Sequence, residues 1–316
     1  DDIDVIDIAA PSNVHKEIAI KAAEAGKHVF CEKPLALNLN DAREMLEAAE
    51  KNNIKHQIGF NYRFAPAVKL TKKLIDEGKI GKIYHFRGLY LQDWIIDPGF
   101  PLVWRLDKKV AGSGSLGDLG AHLIDLARYL VGDFERVTGI NKTFIKNRPI
   151  VEKMTGLSAQ AQQGGNMGEV TVDDATIFIA EFKNGALGSI EATRFANGHK
   201  NGMSFEINGS KGSIRFEFER MNELQYFSID DEVGTQGFRL IQATEDIHPY
   251  MEAWWPAGHV IGYEHTFVHE MYEFIEAVAN DKDTSPDFYD GVKCQQVLEA
   301  VDLSIERGKW VEVDSL

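Results

Sequence analysis

Cysteine is scarce in this sequence: only Cys31 and Cys294 are cysteines among 316 residues, and they lie far apart. Two such residues exclude a disulfide framework and a cysteine-built zinc site, so we expect a cytoplasmic protein in a reducing compartment. Long apolar runs are also lacking, and no stretch reaches the roughly 18 residues that a membrane-spanning helix needs. A membrane is therefore not expected as a partner.

Positive charge is scarce as well, because 34 Lys and Arg residues stand against 49 Asp and Glu residues and leave a formal net charge of −15. Nucleic acids and anionic membranes bind basic surfaces, so this balance argues against both as main partners. What remains is ordinary globular material, with 44% hydrophobic and 26% charged residues. The length allows two domains, and the charge suits a small neutral substrate.

Residues 1–62 alternate between short apolar strand patterns and helical patterns. Strands are predicted at 3–10, 28–34 and 55–64, and helices at 14–26 and 41–53, the second capped by Asn40 and Asp41. This βαβαβ order predicts a parallel sheet with helices on its faces, an α/β arrangement. The segment 63–81 connects it to the rest of the chain through a helix that ends at Gly78.

Residues 82–316 follow another pattern, with alternating strands separated by turn signals. Hairpins are predicted to turn at Asn184-Gly185 and near 209–212, with helices at 119–131, 265–280 and 288–307, a last short strand at 310–315 and a surface loop at 147–172. The pattern predicts an α+β domain with a large, mostly antiparallel open sheet, covered on one face by the first of these helices. The closing helices are expected to pack back on the first domain.

Polar residues stand where each predicted parallel strand ends, in the tripeptides Pro11-Ser12-Asn13, Glu32-Lys33-Pro34 and Asn61-Tyr62-Arg63. Ligands bind outside the carboxyl ends of the strands in an open parallel sheet, and topology gathers these three ends on one edge. Strand ends are also polar simply because they meet solvent, so for Ser12, Asn13 and Asn61 both interpretations remain open. For Lys33 the functional interpretation is favoured, because Pro34 stiffens the backbone of the lysine and so fixes the direction of its amine.

The segment GDLGAHLID places Asp118, His122 and Asp125 at i, i+4 and i+7, positions that share one face of a helix. An imidazole between two carboxylates after a glycine-rich loop suits proton transfer. The structural alternative makes Asp118 an N-cap, His122 a buried histidine with satisfied hydrogen bonds, and Asp125 a helix charge. Asp-x3-His also offers two metal ligands, but no third ligand supports them, so we expect no metal.

Aromatic residues cluster in two further places. Trp94 and the pair Trp104-Arg105 flank the stretch before the glycine-rich loop, and residues 253–270 combine two tryptophans with His265 ahead of a helix. Such groups can line a sugar or nicotinamide pocket, and we take Trp94 and His265 as candidate substrate contacts. They are equally typical of packing at a domain seam.

The stretches IDVIDIAAPSNVHKEIAIKAAEAGKHVFCEKPLAL (3–37) and GSGSLGDLGAHLIDLARYLVGD (112–133) together resemble the Gfo/Idh/MocA oxidoreductases, which are NAD(P)-dependent sugar and polyol dehydrogenases. The likeness runs from residue 2 to about residue 312. The Glu-Lys-Pro motif is specific only in combination with Asp-x3-His. The resemblance implies a Rossmann-type sheet at 1–62 and, at 82–316, a substrate-binding domain whose sheet forms a homodimer or homotetramer.

The resemblance also implies residue roles. Lys33 would hydrogen-bond the reacting hydroxyl, His122 would take its proton as general base, and Asp118 would orient the substrate and hold the other two. Glu32 would contact the nicotinamide carboxamide, and Arg63 would touch substrate as well as cofactor. The full set of implied or candidate cofactor contacts is Ala10, Pro11, Ser12, Asn13, His15, Glu32, Lys33, Asn61, Arg63, Trp104 and Arg105.

One part of the family pattern is missing, because no G-x-G-x-x-G turn follows a strand near the N-terminus. The chain opens inside a strand pattern without Met or leader, so we expect roughly 70 further residues, the size of a mononucleotide-binding half, to precede it. A natural fragment is the alternative, with a first strand exposed to aggregation. The missing segment would choose between NAD and NADP; we expect NAD and leave NADP open.

The implied reaction is oxidation of a secondary alcohol on a cyclic, inositol-like sugar or polyol, with hydride passing to the nicotinamide and the proton to His122. A cationic Lys33 beside the imidazole would lower the histidine pKa and keep the base neutral near pH 7. Two other functions stay open: a non-catalytic sugar or dinucleotide sensor with this fold, and a redox-neutral glycosidase or epimerase that uses bound NAD.

Overall fold

The computed structural model describes residues 2–155, 158–161 and 165–316. The first part of the chain forms a parallel sheet of three short apolar strands, each followed along the chain by a helix. Its elements are β1 (Val5–Ile8), α1 (His15–Glu24), β2 (His28–Cys31), α2 (Leu39–Lys51), β3 (His56–Ile58) and α3 (Pro66–Asp76). The predicted βαβαβ unit, with the strands in the order β1-β2-β3, is thereby confirmed.

Helix α2 begins two residues before the predicted start. Its N-cap is Asn38, whose side chain accepts a hydrogen bond from the Asp41 amide at 2.9 Å, so the predicted cap at Asn40 was wrong. Asn38, Asn40 and Asp41 are all good capping residues, and local sequence does not decide among them.

Within the described residues, the second part of the chain contributes one large sheet, two small two-stranded sheets and four further α-helices. Its elements are β4 (Ile83–Leu91), α4 (Lys108–Ala111), α5 (Ala121–Leu130), β5 (Phe134–Lys142), β6 (Asn147–Pro149), β7 (Val151–Thr155), β8 (Ser158–Ala161), β9 (Met167–Glu169), β10 (Ala175–Phe182), β11 (Leu187–Thr193), β12 (Gly202–Gly209), β13 (Gly212–Glu217), β14 (Glu223–Ser228), β15 (Arg239–Gln242), α6 (Glu264–Ala279), α7 (Phe288–Arg307) and β16 (Val311–Glu312). A single π-helical turn, Leu116–Gly120, leads directly into α5.

The large sheet has nine strands in the order β15-β14-β13-β12-β4-β11-β10-β5-β16, and β4 pairs with β11 in parallel while the other described neighbours are antiparallel. The two predicted hairpins, β10–β11 and β12–β13, are confirmed. The predicted loop at 147–172 was wrong in part, because β6 pairs with β9 and β7 with β8. Residues 156–157 and 162–164 of that stretch lie outside the described residues.

Side chains alternate across the large sheet, as a period of two requires. The inner face buries Phe86, Phe178 and Phe205, and α5 packs on this face at β4, while apolar side chains such as Ile177 and Leu187 stand on the exposed outer face. Helix α7 packs against β5 and also against α2, so one core joins both sheets. Among the described helices, none is long and apolar enough to cross a membrane.

Candidate active site

The carboxyl end of β2 delivers Lys33 to the centre of the site. Register places Ile8 beside Cys31 and Cys31 beside Ile58, so the three strand ends lie together at one edge, as expected. The Lys33 amine donates to the main-chain carbonyl of Asp118 at 2.8 Å and to its carboxylate Oδ1 at 3.0 Å. Only 15% of the Lys33 side chain is exposed, so this contact is shielded from bulk water.

Asp118 lies in the π-helical turn, and hydrogen bonds to Asp173 hold the start of that turn in place. The Asp173 carboxylate accepts hydrogen bonds from the Gly114 amide at 2.8 Å and the Leu116 amide at 2.9 Å, and it also bonds the Ser115 hydroxyl. A Cβ on Gly114 would lie 1.9 Å from the Asp173 carbonyl oxygen, so only glycine permits this close approach. Asp118 therefore caps no helix, and the N-cap interpretation of this residue was wrong.

The charges of its neighbours keep the Asp118 carboxylate ionised in spite of its partial burial. Burial alone would raise its pKa, but the charges of Lys33 and Arg194 outweigh that effect and hold the pKa of Asp118 well below its usual range. Its second oxygen, Oδ2, accepts a hydrogen bond from Arg194 at 2.9 Å. Arg105 adds a third positive charge close enough to favour the ionised form.

His122 stands on the first turn of α5, packed among aromatic rings. Its ring centroid lies 4.4 Å from that of Tyr62 and 6.0 Å from that of Tyr90. Burial, and after it the Lys33 charge, lowers the pKa of His122 well below its usual value, so the imidazole is neutral near pH 7. Its Nδ1 is buried and has no hydrogen-bond partner among the described residues. A neutral imidazole beside a lysine is suited to accept a proton.

Asp125, the third member of the predicted trio, does not join the site. It accepts two hydrogen bonds from Arg63, at 2.8 Å from Nε and 2.5 Å from the terminal nitrogen, and both side chains are buried. Arg63 donates further to Asp290 at 3.2 Å. This geometry lends no support to a contact of Arg63 with cofactor or substrate. The i+7 spacing predicted that Asp125 would join Asp118 and His122, but its side chain lies in the buried ion pair with Arg63 instead.

The first strand end is organised by His15. Its Nε2 lies 2.8 Å from the Ala10 carbonyl oxygen, and its Nδ1 lies 3.1 Å from that of Pro34. His15 therefore ties the ends of β1 and β2 together from within the core and presents no free nitrogen to a ligand. Pro11 and Asn13 are exposed at this edge, whereas Ser12 is buried.

Glu32 and Asn61 occupy the second and third strand ends. The Glu32 carboxylate accepts a hydrogen bond from the Lys33 amide at 3.2 Å, and burial raises its pKa. It packs on Gly59, where an added Cβ would come within 3.4 Å of it. Asn61 is buried and donates to the Thr266 hydroxyl at 2.9 Å, so its amide is already committed.

This edge fits a dinucleotide by the chemistry of its donors and acceptors. Exposed Pro11 and Asn13 and the carboxylate of Glu32 follow one another along the carboxyl ends of parallel strands, next to Lys33. Such an edge is where this class of sheet holds nucleotides. Among the described residues no group of three or more His, Cys, Asp or Glu side chains is arranged to hold a metal ion.

The aromatic candidates divide into two groups. Trp94 lies beneath the Arg194 guanidinium, 5.4 Å from carbon to ring centroid, and Trp104 lies 4.4 Å beneath that of Arg105, so both tryptophans border the Asp118 environment. His265 instead packs on Trp254 with centroids 4.6 Å apart. In the described part of the chain, neither a hydrogen bond nor a ring contact joins His265 to Lys33, Asp118 or His122.

Three polar features of the site escaped sequence reasoning. Arg194 and Asp173 come from the ends of β11 and β10, far along the chain from Asp118, and the hydroxyl groups of Tyr62 and Tyr90 bond each other beside His122. The local signals are Asp173 with its neighbouring aspartate before β10 and Arg194 after β11. Neither signal indicates which distant residue would be the hydrogen-bond partner.

Comparison with known proteins defines the class. The family described as "Oxidoreductase family, NAD-binding Rossmann fold" matches residues 1–60, and the "GFO/IDH/MocA C-terminal domain" matches residues 68–215. The chain belongs to the Gfo/Idh/MocA family of oxidoreductases, and NAD is its cofactor. The fold and the family predicted from sequence are thereby confirmed.

Individual relatives are similar over nearly the whole chain. Levoglucosan dehydrogenase of Pseudarthrobacter phenanthrenivorans is 46% identical over 100% of this chain and 81% of that protein. Glucose-6-phosphate 3-dehydrogenase of Bacillus subtilis is 30% identical over 92% of this chain and 76% of that protein. The structure of levoglucosan dehydrogenase in complex with NADH and levoglucosan superimposes with a TM-score of 0.92 at 46% identity, covering 100% of this chain and 82% of that one.

Proposed function

We propose that the protein oxidises a secondary hydroxyl group of a cyclic sugar or polyol, with NAD as the hydride acceptor. The observation that carries this proposal is the contact of Lys33 with Asp118 beside a neutral His122, because it joins a cation and a base at the ligand edge of the parallel sheet. The similarity to levoglucosan dehydrogenase supports a neutral cyclic sugar as substrate.

Each residue would act on the reacting hydroxyl in a distinct way. His122 would accept its proton, since a base must be neutral to do so and burial keeps this imidazole neutral. Lys33 would donate a hydrogen bond to the same oxygen as negative charge develops on it. Asp118 would hold the lysine amine in place through its carbonyl and carboxylate oxygens. NAD supplies the hydride acceptor when bound, next to Glu32.

The substrate is expected to lie between the Lys33–Asp118 contact and the ring of Trp94. Trp94 is fixed by a hydrogen bond from its indole nitrogen to the Gln92 side chain at 2.9 Å, so it offers a rigid apolar wall. Sugars stack the apolar faces of their rings on such walls while their hydroxyls meet charged groups. We therefore include Trp94, but not His265, among the substrate contacts.

The outer face of the large sheet supports self-association as a second element of the proposal. The exposed apolar side chains there are Leu89, Ile140, Ile177, Ile179 and Leu187. A patch of this kind on one sheet face marks an interface, so we expect a homodimer or homotetramer. Light scattering coupled to gel filtration measures it; the substitution Ile179→Glu should lower the mass, and an unchanged monomeric mass in both proteins would contradict the interface.

One assay tests the reaction. The full-length protein is incubated with levoglucosan, inositols and aldoses, each with NAD or NADP, and NADH or NADPH is measured together with the ketone. We expect stoichiometric NADH with at least one cyclic sugar and little NADPH. Product without net NADH would replace the proposal with redox-neutral chemistry, and sugar binding without product would replace it with a sensor.

A further inference from the structure

We propose that Arg194 is a positioning residue, which fixes the Asp118 carboxylate and through it the amine of Lys33. The inference rests on the proposed function, since it assigns Arg194 to the same reaction. It starts from an asymmetry of the Asp118 carboxylate: Oδ1 accepts from Lys33 at 3.0 Å, whereas Oδ2 accepts from Arg194 at 2.9 Å.

Arg194 holds the backbone of the same turn as well as the side chain. The nitrogen that bonds Asp118 also donates to the Gly114 carbonyl oxygen at 3.1 Å. The same carbonyl oxygen accepts a hydrogen bond from the main-chain amide of Asp118 at 3.0 Å. The Arg194 guanidinium therefore contacts both ends of the turn, at Gly114 and at Asp118. Any rotation of the carboxylate would break a bond at Arg194 or at Lys33.

The setting of Arg194 indicates function rather than stability. The residue is 1% exposed, and Asp118 is its ion-pair partner within the described residues, where its Nε and second terminal nitrogen bond nothing. A buried ion pair gives little net stability over apolar packing, because both charges lose their hydration. A buried arginine with two nitrogens that lack hydrogen bonds lowers the stability of the folded protein. We infer that this residue is retained because it orients Asp118.

The geometry also explains how Lys33 keeps a hydrogen free for the substrate. Its ammonium group has three N–H bonds, of which two point to the carbonyl and to Oδ1 of Asp118. Because Arg194 holds Oδ2, the Asp118 carboxylate cannot rotate to accept a hydrogen bond from the third N–H of Lys33. Arg194 therefore leaves one lysine N–H for the reacting hydroxyl.

The test combines NMR and kinetics on Arg194→Met, Arg194→Gln and Arg194→Lys. Carbon-13 NMR of labelled aspartate, assigned with Asp118→Asn, follows the ionisation of Asp118 without sugar or NAD. We expect the pKa of Asp118 to rise in the Met and Gln variants, where the burial penalty is opposed by fewer charges, and to return towards the wild-type position in the Lys variant. Turnover should fall about tenfold to a hundredfold in Arg194→Met and recover in part in Arg194→Lys, with the KM for NAD within about twofold.

Arg148→Met is the matched control. Arg148 is also fully buried, but it bonds the backbone carbonyls of Ile95, Asp97 and Phe100 instead of Asp118. Its removal should lower stability without changing the ionisation of Asp118. An unchanged Asp118 titration in folded Arg194→Met or Arg194→Gln overturns the positioning role. A wild-type protein that reduces no NAD while the titration shifts as expected would overturn the proposed reaction alone.

Discussion

Lys33 and Asp118 meet through two hydrogen bonds, of 2.8 Å to the carbonyl and 3.0 Å to the carboxylate, across 85 positions of sequence. Lys33 follows the end of a strand of the parallel sheet by two residues, and Asp118 lies in the π-helical turn that precedes α5. Their contact therefore closes the site between the two sheets.

Lys33→Ala should lower kcat by about a hundredfold or more, since the developing negative charge on the substrate oxygen loses its closest cation. The dissociation constant for NADH should change little. Steady-state kinetics and NADH fluorescence titration measure the two. Lys21→Ala, in an exposed pair with Glu17, is the control. Turnover within about threefold of wild type would reject the role of Lys33.

The acid limb of the kcat/KM profile should lie below the ordinary histidine range. Burial and the Lys33 charge lower the pKa of His122, and the base works only in its neutral form, so activity is lost only when pH falls through this lowered value. His122→Ala should lower the rate at neutral pH and remove the limb. In Lys33→Ala the residual activity should show the limb at higher pH. Identical profiles in all three proteins would contradict the assignment.

Glu270→Gln should stabilise the protein at alkaline pH. Both carboxylate oxygens of Glu270 are buried without a partner among the described residues, and burial, then the charge of Glu32, raises its pKa well above 4.5. A carboxyl group with a raised folded pKa destabilises above its unfolded pKa, and the cost grows as pH rises through the folded value.

Urea unfolding checks this, with an expected gain of about 1 kcal/mol or more at pH 8 and a smaller one at pH 4. Glu264→Gln, an exposed change in the same helix, should alter stability by less than about 0.5 kcal/mol at either pH. A loss of stability in Glu270→Gln at pH 8 would show that the carboxylate has a role that this geometry does not reveal.

Asp125→Asn should destabilise the protein by about 3–5 kcal/mol, because it leaves the Arg63 guanidinium buried with one less charge partner. Burial raises the pKa of Asp125 to about 6, despite the opposing charge of Arg63, so the wild-type protein loses stability as pH rises from the unfolded pKa of this group towards 6. The loss in Asp125→Asn should therefore be larger at pH 4 than at pH 8. Chemical denaturation at both pH values measures it. Lys21→Met, at an exposed pair, should change stability only slightly. An Asp125→Asn loss of the same small size would rule out a buried charge here.

Gly114→Ala should lower turnover by about tenfold or more, because the added methyl group would collide with the Asp173 carbonyl and displace the turn that carries Asp118. Gly237→Ala is the control, since its added Cβ meets nothing within 4 Å. Kinetics and thermal unfolding of both variants measure the effect. Equal activities would show that the turn tolerates the shift.

Local patterns were sufficient for the elements and for the two motifs. Hydrophobic periodicity predicted the three parallel strands and the two closing helices, because each element buries one face and the period of that face is written in the sequence. Glu32-Lys33-Pro34 and Asp118-x3-His122 were found because they adjoin those elements. The start of α2 and the strands between 147 and 169 were missed, since competing caps and short edge pairings depend on distant partners.

Contiguous residues were enough to indicate the family, the strand end that carries Lys33 and the helix that carries His122. The pairing of buried charges, in contrast, depends on how distant parts of the chain pack together. The tertiary structure took Asp125 and Arg63 into a buried ion pair, set Asp173 beneath the turn and brought Arg194 to the second oxygen of Asp118. Ion pairs between residues far apart in the chain depend on the packing of whole sheets and helices, and no local pattern encodes the partner of a lone arginine.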